Sequence, residues 1–200
     1  MSDSSIGVPI EGASKPGPMT FEEYDPNYPH VFAAVVAEIR KALPDAYVEH
    51  TGSTAVPGLG GRGMLDMVIL ADGSRDDEIV ANLLRIGFIE SPFAFVKSML
   101  VGRIAYGGKA YPLLLYVLPA EHEMIRGFLA FRAYMQEHPE EAQTYAEVKR
   151  HVLAEGQVDA RSYQDGKTPY LEAVAARIAS GGYCRTVSWQ EDLPLRGTEA

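Results

Sequence analysis

The chain has 200 residues, 46% of them hydrophobic, with a formal net charge of −9 and a single cysteine. That length suits one domain, or one core with an appended helical unit, and the acidic balance excludes broad binding to nucleic acid, which needs basic surface to displace counterions. Cys184 on its own excludes an internal disulfide and a cysteine-rich zinc site, and no apolar run approaches the length of a membrane span.

Residues 1–19 are rich in Ser, Gly and Pro, lack periodicity and lack the basic-then-apolar pattern of a secretory signal; they are expected to form a mobile tail, on a protein of a reducing cytoplasm. Residues 28–43 predict a helix, with Pro29 in its first turn and Pro44 as its stop. Strands follow at 47–50 and 65–71. Ser74 resembles an N-cap, with Asp77 three residues on, for a helix running to Ile86 and stopped by Gly87. Residues 93–106 and 111–118 predict a β-hairpin around Gly107-Gly108. Beyond Pro119 the pattern turns helical, at 121–137, 140–154 and 168–179, and residues 186–189 suit a short docked strand. The expectation is an α/β (α+β) chain with a mixed sheet: a core over 20–118, a helical region over 119–180 and an irregular tail over 181–200.

The stretch His50-Thr-Gly-Ser-Thr-Ala-Val-Pro-Gly-Leu-Gly-Gly-Arg-Gly-Met-Leu-Asp carries the chemistry. Gly52 frees the backbone for a tight turn, Ser53 and Thr54 bring hydroxyls and N–H groups to one concavity, and Arg62 suits bidentate phosphate contact. Asp66 lies within an apolar strand, where an ionised carboxylate is costly unless paired. It serves either as a metal ligand or general base, or as a structural partner of the loop or of Arg62. Alternation puts Asp66, Val68 and Leu70 on one face, so a second carboxylate would belong at 68, and Val68 is there instead. His50 suits a hydrogen bond to its neighbours more than chemistry. Arg132 and Lys167 complete the candidate phosphate-binding set. Lys167 belongs to one of two Tyr-x-x-x-Lys pairs, Tyr145–Lys149 and Tyr163–Lys167, whose members would share a helix face. Lys149 is expected at the surface, and Lys97 and Lys109 on solvated strand edges. Walker-type and dinucleotide-binding glycine motifs, a nucleophile elbow and metal-ligand histidine spacing are all lacking.

The segment from His50 to Asp66 resembles the signature of the GrpB-like family of the nucleotidyltransferase superfamily. The likeness starts at Tyr24-Asp25-Pro26 and resumes at Phe131-Arg132 and Tyr145-x-x-x-Lys149, fading near Tyr163 and Lys167. The resemblance implies a nucleotidyltransferase-type fold, with Gly52-Ser53 opening the site and Asp66 as its first carboxylate. It further implies a nucleoside triphosphate as ligand and magnesium as the metal, held at Asp66. The chain departs from the family pattern at Val68, at Arg62 in place of the usual lysine, at Leu113-Leu114-Leu115-Tyr116 where relatives often carry a histidine, and at Ala133 where an acid is usual. Two readings follow: a nucleotidyltransferase acting on a small-molecule or protein acceptor, or a protein that binds a nucleotide or phosphorylated metabolite in the same pocket with reduced catalysis.

Overall fold

A computed structural model describes residues 19–71, 73–92, 94, 98–154 and 159–183. Of the expected tails over 1–19 and 181–200, residues 1–18 and 184–200, including the strand at 186–189, lie outside the described residues, as do Asp72 and Lys97. The elements run α1 (Tyr28–Ala42), β1 (Val48–Thr51), a 3-10 turn (Ser53–Ala55), β2 (Leu65–Ala71), α2 (Asp76–Arg85), β3 (Ile89–Glu90), β4 (Met99–Tyr106), β5 (Lys109–Pro119), α3 (Glu123–Glu137), α4 (Pro139–Ala154) and α5 (Ala160–Ser180).

The strands form one mixed sheet in the order β1-β2-β5-β4-β3, in which only β2 and β5 are parallel. The mixed α/β architecture is the one expected. Gly107 and Gly108, at φ 56° and 81°, close the hairpin between β4 and β5, the primed-turn geometry that matches strand twist. The described part of the first hairpin strand starts at Met99, the expected start at 93 lies outside the described residues, and the two-residue β3 is too short to leave a pattern in the sequence.

Alternation along β2 and β5 sorts side chains to two faces. Leu65, Met67 and Ile69, with Leu113, Leu115 and Val117, pack under α1, which contributes Val31, Val35 and Ile39 at helical spacing, and against Leu83 of α2. Val68, Leu114, Tyr116 and Leu118 face the other way and are covered by Ile125, Met124 and Phe128 of α3. β5 is therefore apolar on both faces, which accounts for its unbroken leucine run. A further cluster joins Val56 and Leu59, from the loop before β2, to α3, α4 and α5 through Ala130, Tyr134, Tyr145 and Val174. Among the described residues no helix is long and apolar enough to cross a membrane.

Two expectations are corrected. The N-cap of α2 is Arg75, not Ser74, and the helix opens on the acids Asp76, Asp77 and Glu78, which suit the positive end of the helix dipole. The last helix starts at Ala160 rather than 168, capped by the Asp159 side chain, which accepts from the Ser162 N–H at 2.7 Å. Gly166 and Pro169 lie inside α5. A Cβ on Gly166 would come within 2.9 Å of the Val152 methyls, so this glycine permits close approach of α4 and α5.

Candidate functional site

β1 ends at Thr51, directly opposite Asp66 in the antiparallel register. The chain then turns at Gly52, whose φ of 66° and ψ of −166° belong to a region essentially reserved for glycine. A Cβ there would lie 2.1 Å from Asp66 Oδ2, so the carboxylate is seated directly against the bare Gly52 backbone. The Gly-Ser turn and the strand aspartate, separated by 14 positions in the sequence, thus meet.

Asp66 keeps part of its surface accessible and, among the described residues, makes no hydrogen bond and no ion pair. Burial raises its pKa, while Arg62, Lys167 and Lys149 oppose that shift through their positive charge. Three cations therefore act on one acid. Arg62 comes from the loop before β2, Lys149 from α4 and Lys167 from α5.

The expectation for Lys149 is corrected: it is 2% exposed, among the most buried side chains of the molecule. Its ammonium donates to the Gly60 carbonyl and lies 4.4 Å from the centre of the Tyr145 ring. Lys167 repeats the device one helix later, 4.7 Å from the centre of the Tyr163 ring, and the Arg62 guanidinium lies 4.8 Å from the same ring. Both Tyr-x-x-x-Lys pairs thus share a face as the helical period requires, and both turn inward. Burial, then the neighbouring cations, brings Lys149 down to about 7 and Lys167 to about 8. Stacking of Tyr145 on Tyr170, 5.4 Å apart and 8° from parallel, holds the first ring in place.

Ser53 belongs to the same hollow. A Cβ on Gly61 would meet Ser53 Oγ at 2.9 Å and Lys149 Nζ at 3.1 Å, so hydroxyl and ammonium both pack closely against the bare Gly61 backbone. Thr54 is engaged elsewhere: its hydroxyl pairs with His50 Nε2 at 2.9 Å. His50 stacks on Phe32 and is brought down to about 4 by burial and by Arg132, so the imidazole is neutral at pH 7 and lends no charge to a phosphate.

Arg132, expected at the phosphate site, is instead committed to Glu49 Oε2 at 2.7 Å and to the His50 carbonyl at 2.6 Å. It clamps α3 to β1. Glu49 is thereby tied up on β1, and Lys109 binds Glu22 at 2.9 Å and Asp25 at 3.4 Å at the hairpin.

The donor set does not fit an all-protein magnesium site. Flanking Asp66 on its own sheet face are Val68, Leu114 across the parallel ladder and Thr51 across the antiparallel one, while Glu49, two positions along β1 on that face, is held by Arg132. Among the described residues no three His, Cys, Asp or Glu side chains gather as metal ligands. Magnesium demands six oxygens in near-octahedral array, and this hollow answers with one carboxylate and three cations.

Comparison with known proteins identifies the family and the fold. The family described as GrpB protein matches residues 18–177. A UPF0157 protein of Pseudomonas aeruginosa is 33% identical over 164 residues, which cover 77% of this chain and 63% of that protein, so the chain spans less than two thirds of this relative's length. The crystal structure of GrpB from Enterococcus faecalis superposes with a TM-score of 0.68 at 21% identity, over 82% of this chain and 99% of that one. Terminal uridylyl transferase 4 from Trypanosoma brucei, solved with bound UTP, superposes with a TM-score of 0.54 at 17% identity, over 90% of this chain and 60% of that one. At those identities the two structures show the fold, which is of the nucleotidyltransferase type.

Proposed function

The chain belongs to the GrpB protein family, and from that membership and the cluster around Asp66 we propose that it binds a nucleoside triphosphate or a related small phosphorylated ligand between β2 and the helices α4 and α5. The observation that carries this reading is the convergence of Arg62, Lys149 and Lys167 on an unpaired Asp66 beside the Gly52–Ser53 turn. Buried positive charge without ion-pair partners is costly, and an anionic ligand would relieve that cost. In this reading residues 20–118 act as a core that supplies Ser53, Arg62 and Asp66, and the helical region over 119–180 supplies the two lysines, so the ligand bridges both.

Nucleotidyl transfer is a second reading, favoured by the unpaired state of Asp66. An acceptor hydroxyl would attack the α-phosphorus and give its proton to the Asp66 carboxylate, whose affinity for protons burial has already raised. The bond to the β-phosphate oxygen would break, and the departing pyrophosphate would be met by the cations. Such catalysis rests on positioning and electrostatics. The bound UTP of the trypanosomal neighbour agrees with the choice of ligand class.

A thermal-shift panel of nucleotides and phosphorylated metabolites tests the binding reading. At about 100 times its dissociation constant a ligand stabilises by roughly 2.7 kcal/mol, and a panel without any shift contradicts it. Transfer is tested by pyrophosphate release from labelled triphosphates offered candidate acceptors, and release that persists unchanged in Asp66→Ala removes the second reading alone.

A further inference from the structure

We propose that Lys149 and Lys167 take the place of a divalent cation in this hollow, so that together with Arg62 they hold a triphosphate chain without metal; the proposal rests on the phosphate-binding reading above and specifies its chemistry. A triphosphate needs positive charge distributed along its length. Nucleotide sites commonly divide that task between magnesium, held by carboxylates and phosphate oxygens, and basic side chains. Here the carboxylate side of the arrangement is reduced to Asp66, with Val68 and Leu114 closing the positions beside it. The basic side is enlarged.

The enlargement is built rather than incidental. A single local device, a tyrosine one helical turn before a lysine, appears on α4 and again on α5, and each ring supports its own ammonium at 4.4 and 4.7 Å. The Tyr163 ring also supports Arg62, which links the third cation to the second. Lys149 is fixed further by the Gly60 carbonyl. An ammonium has three donors, and this contact uses one of them. Ser53 Oγ and Lys149 Nζ both lie against Gly61, which brings a hydroxyl and an ammonium close enough for one anion to accept from both. Charges fixed before the ligand arrives lose little side-chain freedom on binding. A magnesium ion entering the same space would meet three positive charges and a single carboxylate.

The test is calorimetric titration of the 200-residue chain with inorganic tripolyphosphate and, separately, with UTP, each in EDTA and in excess magnesium. Binding in EDTA is expected, with magnesium leaving affinity equal or weaker because it withdraws charge from the phosphate. Binding that requires magnesium overturns the inference and leaves the phosphate-binding reading standing. Absence of binding by either probe in either buffer overturns both. Lys167→Gln is expected to lower affinity in EDTA at least about tenfold, the loss of one charge contact largely screened by water and salt. Affinity within twofold of the parent overturns the inference. Lys149→Gln is expected to do at least as much, with circular dichroism and a melting curve run alongside because this side chain is buried. Lys167, partly exposed, decides the question if the Lys149 variant fails to fold.

Discussion

The two sides of this sheet are built on opposite terms. Under α1 and α2 the packing is mainly aliphatic and aromatic, with the neutral His50 ring stacked on Phe32, and its side chains contribute chiefly by leaving water. Around the end of β2, facing α4 and α5, the same sheet presents a buried lysine, a second lysine half-buried, an unpaired aspartate and, at Thr51, a fully buried hydroxyl with no hydrogen-bond partner among the described residues. Groups of the second kind oppose folding, and their gathering in one place is what the proposed ligand would account for. The first region holds the molecule together and the second uses part of that stability.

Truncation of the apolar side should be the most damaging change. Ile39→Ala removes a fully buried side chain from α1 and is expected to lower unfolding free energy by about 3 kcal/mol, in the range of large-to-small core substitutions. Triphosphate affinity should stay as it was in the fraction that remains folded. Urea denaturation with and without ligand checks both parts, and a loss of affinity larger than the loss of stability would break the separation of the two regions.

On the other side the sign should reverse. Lys149→Met keeps the length and apolar stem of a buried side chain but removes its charge, and is expected to match or raise stability by up to about 2 kcal/mol at pH 7, while abolishing phosphate binding. Destabilisation by several kcal/mol would make Lys149 a structural strut for the Gly60 carbonyl instead.

The pH dependence sharpens the same contrast. Lys149 and Lys167 are brought down to about 7 and 8 from an ordinary 10.5, in the presence of Arg62 from the β2 loop, Asp66 from β2, Tyr145 from α4 and Tyr163 from α5. Between those values and 10.5 the unfolded chain carries protons that the folded chain has released, so their contribution to stability rises with pH across that window. A bound phosphate favours the charged amines, so its affinity should fall across the same window, with net proton uptake at pH 8. Titration in two buffers of different ionisation enthalpy measures that uptake. Affinity that is flat from pH 6 to 9 would remove both lysines from the site.

The smallest effect concerns Thr51. Replacing its unpaired hydroxyl by a methyl, Thr51→Val, should stabilise by about 1 kcal/mol in thermal melts, and a loss of ligand affinity instead would make that hydroxyl part of the site.

Much of this was legible in the sequence. Period-2 alternation put Asp66, Val68 and Leu70 on one face, and the structure agrees; Gly107-Gly108 announced the hairpin; the Gly-Ser turn pointed to Asp66, and the two touch. What could not be read was tertiary. Lys149 looks like a surface lysine because nothing local to α4 shows that the loop carrying Gly60 and Gly61 closes over it. Arg132 looks free for phosphate because its partners, Glu49 and the His50 carbonyl, lie more than 80 positions upstream. The last helix reads from 168 rather than 160 because the reason for Gly166 inside it is Val152 on another helix. The spacing of the two Tyr-x-x-x-Lys pairs was the one available signal for the cationic cluster, and it marked a shared face without saying which way that face pointed.

The most direct measurement is the affinity of Asp66→Asn for UTP in EDTA beside that of the parent chain. If Arg62, Lys149 and Lys167 hold the phosphates, removing the one negative charge among them should tighten binding, by about fivefold for a like charge partly screened near the surface. If Asp66 is instead the anchor on which the ligand depends, the same substitution will weaken or abolish binding, and the account of a cation-built phosphate site is wrong.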